Sequence, residues 1–193
     1  MKKLLFFVAT LFTVSLAQAQ DGIKLGLKAG VNIASMAGDD ADDITNKFGF
    51  HIGGFADYGI SEMVSIRPEL LYSTKGATSE ENDDASFNLN YIDVPVLARI
   101  KADKLFFEFG PTFSFLVKAE VSDGDVSINV KDATRGFDFG YAAGLGYQFT
   151  EQIGLGLRYN GGLTNIFEEE DGESLAEVRN SVFQVSLSYS FGR

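Results

Sequence analysis

The chain contains no cysteine, no tryptophan, one histidine and three prolines among 193 residues. Without cysteine there is no disulfide framework and no thiol chemistry. A single histidine, His51, argues against a His-rich metal site. As a catalytic base it would need a nucleophile and an orienting group beside it. Ser65 and Asp57 are the candidates, on neighbouring predicted strands and with the same parity. After the N-terminus no apolar run reaches the length of a transmembrane helix, which excludes a helical membrane protein. It leaves open a barrel, whose alternating strands escape hydropathy scans. Cations are also scarce, 16 Lys and Arg against 27 Asp and Glu, for a net charge of −11. Such a chain is a poor nucleic-acid binder. The Gly-rich string Gly140 to Gly146 has no G-x-G-x-x-G leading into a helix and no following Lys-Ser/Thr, so it is not a nucleotide loop.

What is present begins with a leader. Lys2 and Lys3 precede an apolar stretch from Leu4 to Leu16, and Ala17-Gln18-Ala19 supplies a small-x-small cleavage pattern. Residues 1–19 are therefore expected to be a cleaved signal peptide and residues 20–193 the mature domain. Loss of the two leader lysines takes the formal charge from −11 to −13.

Glycine and phenylalanine are abundant, at 21 and 18 residues. They alternate most clearly between Gly136 and Leu163. Phe137, Phe139, Tyr141, Ala143, Leu145, Tyr147 and Phe149 share one parity, and Asp138, Gly140, Ala142, Gly144, Gly146 and Gln148 the other. A short link then starts the same pattern at Ile153. Period two means strand, and so short a link means an antiparallel hairpin. One face is too continuous and aromatic to meet water, and the other is too polar for a sandwich core. A greasy face against lipid and a polar face lining a barrel account for both.

The whole mature chain follows this rule. Strands are predicted over 23–34, 48–58, 63–74, 89–101, 105–119, the two strands of that hairpin, and 181–191. Long polar loops follow the first, third, fifth and seventh; tight turns follow the second, fourth and sixth. Outer-membrane barrels have this asymmetry, with short periplasmic turns and long outer loops. The fold class is thus all-β: an eight-stranded antiparallel transmembrane barrel in an up-and-down meander, with the eighth strand pairing the first. Closure is obligatory, because an open edge in hydrocarbon leaves unpaired N–H and C=O groups at several kcal/mol each. Pro68 removes a ladder hydrogen bond, so a bulge is expected there. Residues 126–130 also alternate and are expected to extend a hairpin above the membrane.

The inner parity collects charges of both signs, including Lys24, Lys28, Asp57, Asp93, Lys118 and Asp138. An eight-stranded barrel is only just wide enough for its side chains to fill. Buried charges inside it must be paired. The expected network is Arg67, Glu69, Arg99, Glu108 and Arg158. A narrow polar ion path is the alternative, and an intramembrane lipid-modifying enzyme built on His51 the third reading. Eighteen of the 27 carboxylates fall in the four long loops, with runs at Asp39-Asp40-Ala41-Asp42-Asp43 and Glu168-Glu169-Glu170-Asp171. They lack the ordered ligand spacing of an EF-hand. The expected role is a solvated anionic surface, with weak contact to divalent cations, basic proteins or, through bridging cations, lipopolysaccharide.

Several motifs resemble the small outer-membrane β-barrel domain family of the Bacteroidetes, often described as PorT-like. They are Gly26-Leu27-Lys28-Ala29-Gly30-Val31-Asn32, Arg67-Pro68-Glu69-Leu70-Leu71-Tyr72, Tyr91-Ile92-Asp93-Val94-Pro95-Val96-Leu97, Phe109-Gly110-Pro111, Gly144-Leu145-Gly146-Tyr147 and the final Ser186-Leu187-Ser188-Tyr189-Ser190-Phe191. The resemblance implies insertion in the cell outer membrane as an eight-stranded barrel. It carries over no catalytic residue and no cofactor. The expectation is a monomeric, non-enzymatic protein of structural or binding role, acting through its acidic outer loops.

Overall fold

The computed structural model describes residues 23–38, 44–80, 85–123, 126–167, 169–170, 173–174 and 178–191. The predicted leader and the first acidic run lie outside them, as do residues 168, 171–172 and 175–177 of the last loop. In chain order the strands are β1 (Ile23–Ala37), β2 (Ile44–Gly59), β3 (Val64–Ser79), β4 (Ala85–Ala102), β5 (Leu105–Asp123), β6 (Val126–Asn129), β7 (Phe137–Gln148), β8 (Ile153–Gly162), β9 (Glu169–Glu170), β10 (Glu173–Ser174) and β11 (Arg179–Phe191).

Eight of these form the wall. Neighbours run β4-β3-β2-β1-β11-β8-β7-β5, and β5 pairs back onto β4. Closure places the last strand beside the first, with Leu25 opposite Phe191 and Ala37 opposite Arg179. Every wall pair is antiparallel, as a meander requires.

The alternation of the sequence becomes two faces. Leu27, Val31, Phe50, Ile52, Leu70, Phe109, Leu145, Leu157 and Leu187 stand outward and exposed. Aromatic pairs mark both ends of this apolar belt. Tyr147–Phe149 and Tyr189–Phe191, with ring centroids 5.2 and 5.6 Å apart, sit on the short-turn side. Phe113–Phe139, Phe115–Phe137 and Tyr159–Phe183, at 5.5, 5.4 and 5.0 Å, sit towards the loops. Leu157 lies on the belt with 51% exposure. A Leu157→Arg variant is expected to destabilise the protein by about 2–4 kcal/mol in a bilayer, the cost of a charge near the midplane. Urea titration in vesicles measures it, and an unchanged midpoint would mean that this face does not meet lipid.

Three expectations need correction. Pro68 carries no bulge: it pairs with Val96, and the β3–β4 register is the same on both sides of it. The missing N–H leaves a gap in the ladder without shifting it. The irregularities lie elsewhere, between Asn46 and His51 on the β2–β3 seam and between Asn90 and Tyr91 on the β4–β5 seam. The second inserts one residue into β5 near Val117, which flips the parity beyond it. Lys118 is therefore not in the lumen; it is exposed and bridges Glu120 at 2.7 Å. Finally, the β3–β4 and β5–β6 hairpins run on well past the predicted strand ends. Lys75, read as the start of a loop, is a buried strand residue. Residues 126–129 do form the expected extension, paired to β5.

Candidate functional site

The lumen concentrates the chemistry. Five cations, Lys28, Arg67, Lys75, Arg99 and Arg158, and five carboxylates, Asp57, Glu69, Asp93, Glu108 and Asp138, are each at most 6% exposed. Their strands carry them inward by period two, so the wall itself fixes their height and direction.

The five residues named from the sequence are brought together low in the barrel. Arg158 grips Glu69 with two bonds, Nη1 to Oε2 at 2.7 Å and Nη2 to Oε1 at 2.9 Å, and reaches Glu108 Oε2 at 2.5 Å. Such a two-point fork is the strongest geometry available to this pair. Arg67 joins Glu108 at 3.3 Å and Asp57 at 2.5 Å. Arg99 faces the same two carboxylates at 3.8 and 3.4 Å. Two of the arginines also lie over inward rings, Arg67 on Phe55 at 4.1 Å and Arg99 on Phe106 at 3.7 Å. Lys28 completes the cluster on Glu69 at 3.3 Å.

Higher up, Lys75 bridges Asp93 at 2.9 Å and lies 4.7 Å above the Tyr91 ring. Asn180 donates to Asp138 at 2.8 Å. Sequence reasoning missed Lys75 because it continued β3 too short a distance; the inward parity of Ser73 would have carried it in.

His51 is 1% exposed, and both ring nitrogens are engaged: Nδ1 with Asn32 Oδ1 at 2.7 Å and Nε2 with Ser186 Oγ at 2.9 Å. Asp57 is held by Arg67 and Arg99. The proposed Ser65–His51–Asp57 arrangement is thus not assembled, since the hydrogen-bond partners of His51 are Asn32 and Ser186. Among the described residues no group of three or more His, Cys, Asp or Glu side chains is placed to hold a metal.

Above the charges sits an apolar cap that the sequence reading did not foresee. Leu89, Tyr91, Leu116, Ala119, Ile166 and Val178 pack as one buried cluster. Ile166 comes from the chain after β8, which folds in across the barrel mouth. Its N–H donates to Val178 O at 2.8 Å, and its carbonyl accepts from Arg135 N at 2.7 Å. The apolar Ile166-Phe167 pair inside an acidic loop was the available signal. At the opposite end a cavity of about 170 Å³ opens between Lys24, Arg99, Lys101, Phe106 and Glu151.

A closed antiparallel barrel with an apolar outer belt, aromatic girdles at both ends and a charged lumen defines the transmembrane β-barrel class. Residues 17–168 match the family described as outer membrane protein beta-barrel domain, and the chain belongs to it. Two solved structures share the fold at low identity. Neisserial surface protein A has 17% identity and a TM-score of 0.59, over 86% of this chain and 97% of that one. Ail, the attachment invasion locus protein of Yersinia pestis, has 15% identity and a TM-score of 0.53, over 89% of this chain and all of its own. A comparison with curated proteins finds no match.

Proposed function

We propose that this protein is a monomeric barrel of the bacterial outer membrane that acts through its outward-facing surfaces and not by conduction. The observation that carries this reading is the double closure of the lumen: seven cross-linked charges and a separate Lys75–Asp93 pair, with an apolar cap over them. Ions crossing such a path would have to break bidentate bonds and then pass a dry layer. The work then falls to the belt, which meets lipid, and to the acidic loops. Those loops suit weak contact with divalent cations, basic proteins and lipopolysaccharide. The six quoted motifs support a PorT-like member of the Bacteroidetes, with the N-terminal leader directing export. The engaged nitrogens of His51 speak against the lipid-modifying enzyme.

The test is conductance of the refolded protein in a planar bilayer, after a gel shift on boiling has established insertion. The expected record is electrically silent. Steady, reproducible current steps would replace this reading by the narrow pore, and substitutions in the lumen should then change ion selectivity.

A further inference from the structure

The barrel wall is not uniformly laced. On the β2–β3 seam the ladder stops at Asn46–Ala77 and resumes at His51–Ser73, with one more residue on β2 than on β3. Within this gap the Thr74 hydroxyl stands where the ladder would be, accepting from Phe50 N at 2.8 Å and donating to Phe50 O at 3.2 Å. From the lumen side, Asn32 donates to Phe50 O at 3.1 Å and Thr74 O at 2.8 Å. Side chains therefore satisfy the backbone groups that the opening frees, as burial demands. Two glycines keep the seam open. A Cβ on Gly49 would lie 2.4 Å from Thr74 O, and Gly76 has φ +124°, a conformation other residues rarely adopt.

The result is a recess of about 260 Å³ lined by Lys47, Phe48, Phe50, Lys75, Asn88 and Asn90, together with Gly49 and Thr74. Among the described residues no carboxylate lines it. Lys75 is neutralised by Asp93, whereas Lys47 bonds only the Asn88 amide oxygen and has no carboxylate within ion-pair range among the described residues. Phe48 is 78% exposed and Phe50 50%, both on the outward face. Phe50 lies some way up β2 from the periplasmic turn, at a height of about 22 Å for a strand tilted by roughly 40°. That is near the top of an apolar band of about 25 Å. A cation with two amides above two outward phenyl rings, at that height, matches an anionic headgroup over an acyl chain.

We propose that the β2–β3 recess binds a phosphorylated lipid of the outer leaflet, with its phosphate on Lys47 and its acyl chain along Phe48 and Phe50. This rests on the outer-membrane reading above. The phosphate takes the Lys47 ammonium in place of the Asn88 oxygen, together with the amide N–H of Asn90, while the Asn88 N–H groups stay on Ser86 and Ser122; the rings supply apolar area. The same chemistry distinguishes this site from the acidic loops, which would meet such a lipid only through bridging cations.

The test uses the full mature chain in nanodiscs, with insertion first checked by the gel shift, so that failure to insert counts against the membrane reading and not against the site. Retention of lipid A carrying both phosphates is compared with its dephosphorylated form by native mass spectrometry in the presence of EDTA. The expected result is a preference for the phosphorylated lipid that falls about tenfold in Lys47→Gln, the scale of one charge-assisted hydrogen bond, and is restored in Lys47→Arg. Phe48→Ala is expected to weaken both lipids alike. Equal retention of the two lipids by the unmodified protein, or no loss in Lys47→Gln, would overturn the proposal.

Discussion

Replacing Glu69 by alanine is expected to be among the most damaging single changes in the barrel, lowering its unfolding free energy by about 3–5 kcal/mol. Glu69 is 2% exposed and serves two cations at once, Lys28 and the bidentate Arg158. Its loss leaves Lys28 without a carboxylate and Arg158 with Glu108 alone. A buried ion pair adds little over an apolar substitute, but an orphaned partner costs heavily because it has been taken from water without compensation. The arrangement also ranks the variants. Arg158→Ala should cost less, because Glu69 keeps Lys28 and Glu108 keeps Arg67 at 3.3 Å. Urea-induced unfolding in vesicles, followed by tyrosine fluorescence and by gel mobility, measures both. If Arg158→Ala proved the worse of the two, the account of Glu69 as the shared hub would be wrong.

Tyr91→Ala carries a comparable expected loss, about 3–5 kcal/mol, by a different route. Tyr91 is fully buried in the apolar cap, and its ring underlies the Lys75 ammonium. Truncation leaves a cavity among Leu89, Leu116 and Ile166 and removes the Lys75 contact. Because Ile166 belongs to the segment folded over the mouth, the variant should also expose that segment to protease at the outer surface while the wall stays intact. A protease pattern identical to that of the unmodified protein would show that the cap does not depend on Tyr91. Tyr91→Phe separates the two contributions: it keeps the ring and loses only the hydroxyl that faces Asn180 at 3.4 Å.

The barrel was legible in the sequence because its physics is local. Inward and outward positions follow from period two, and turn length follows from the spacing of the strands. Phe55, His51 and Asp57 on β2 needed no more than counting. The failures share a cause. Lys118 was misplaced because the extra residue near Val117 leaves no mark in a pattern of polar and apolar residues; it is set by how β5 pairs with β4. Pro68 misled in the opposite direction, since the neighbouring Pro95 on β4 falls in the same interruption and the ladder yields there without slipping. The hub residues could be grouped by parity, but not matched. That Arg158 meets both Glu69 and Glu108 depends on the curvature of the whole sheet. The apolar cap lay deeper still, because its central residue, Ile166, belongs to no wall strand.

The pairings in the lumen also dictate an order of assembly. Glu69 is on β3 and Arg158 on β8, and these strands stand apart in the ring. These two charges do not meet until the intervening strands have curled round, although Glu69 reaches Lys28 on β1 across a single strand. A half-made sheet at the membrane surface would therefore lack the Glu69–Arg158 fork on one face and have an open edge at each end. Both penalties vanish together when β11 reaches β1. Insertion of this chain should accordingly pass from a surface-bound sheet to the closed barrel in one cooperative step, because any open intermediate that had entered the hydrocarbon would carry two unpaired edges and lack the cross-barrel fork.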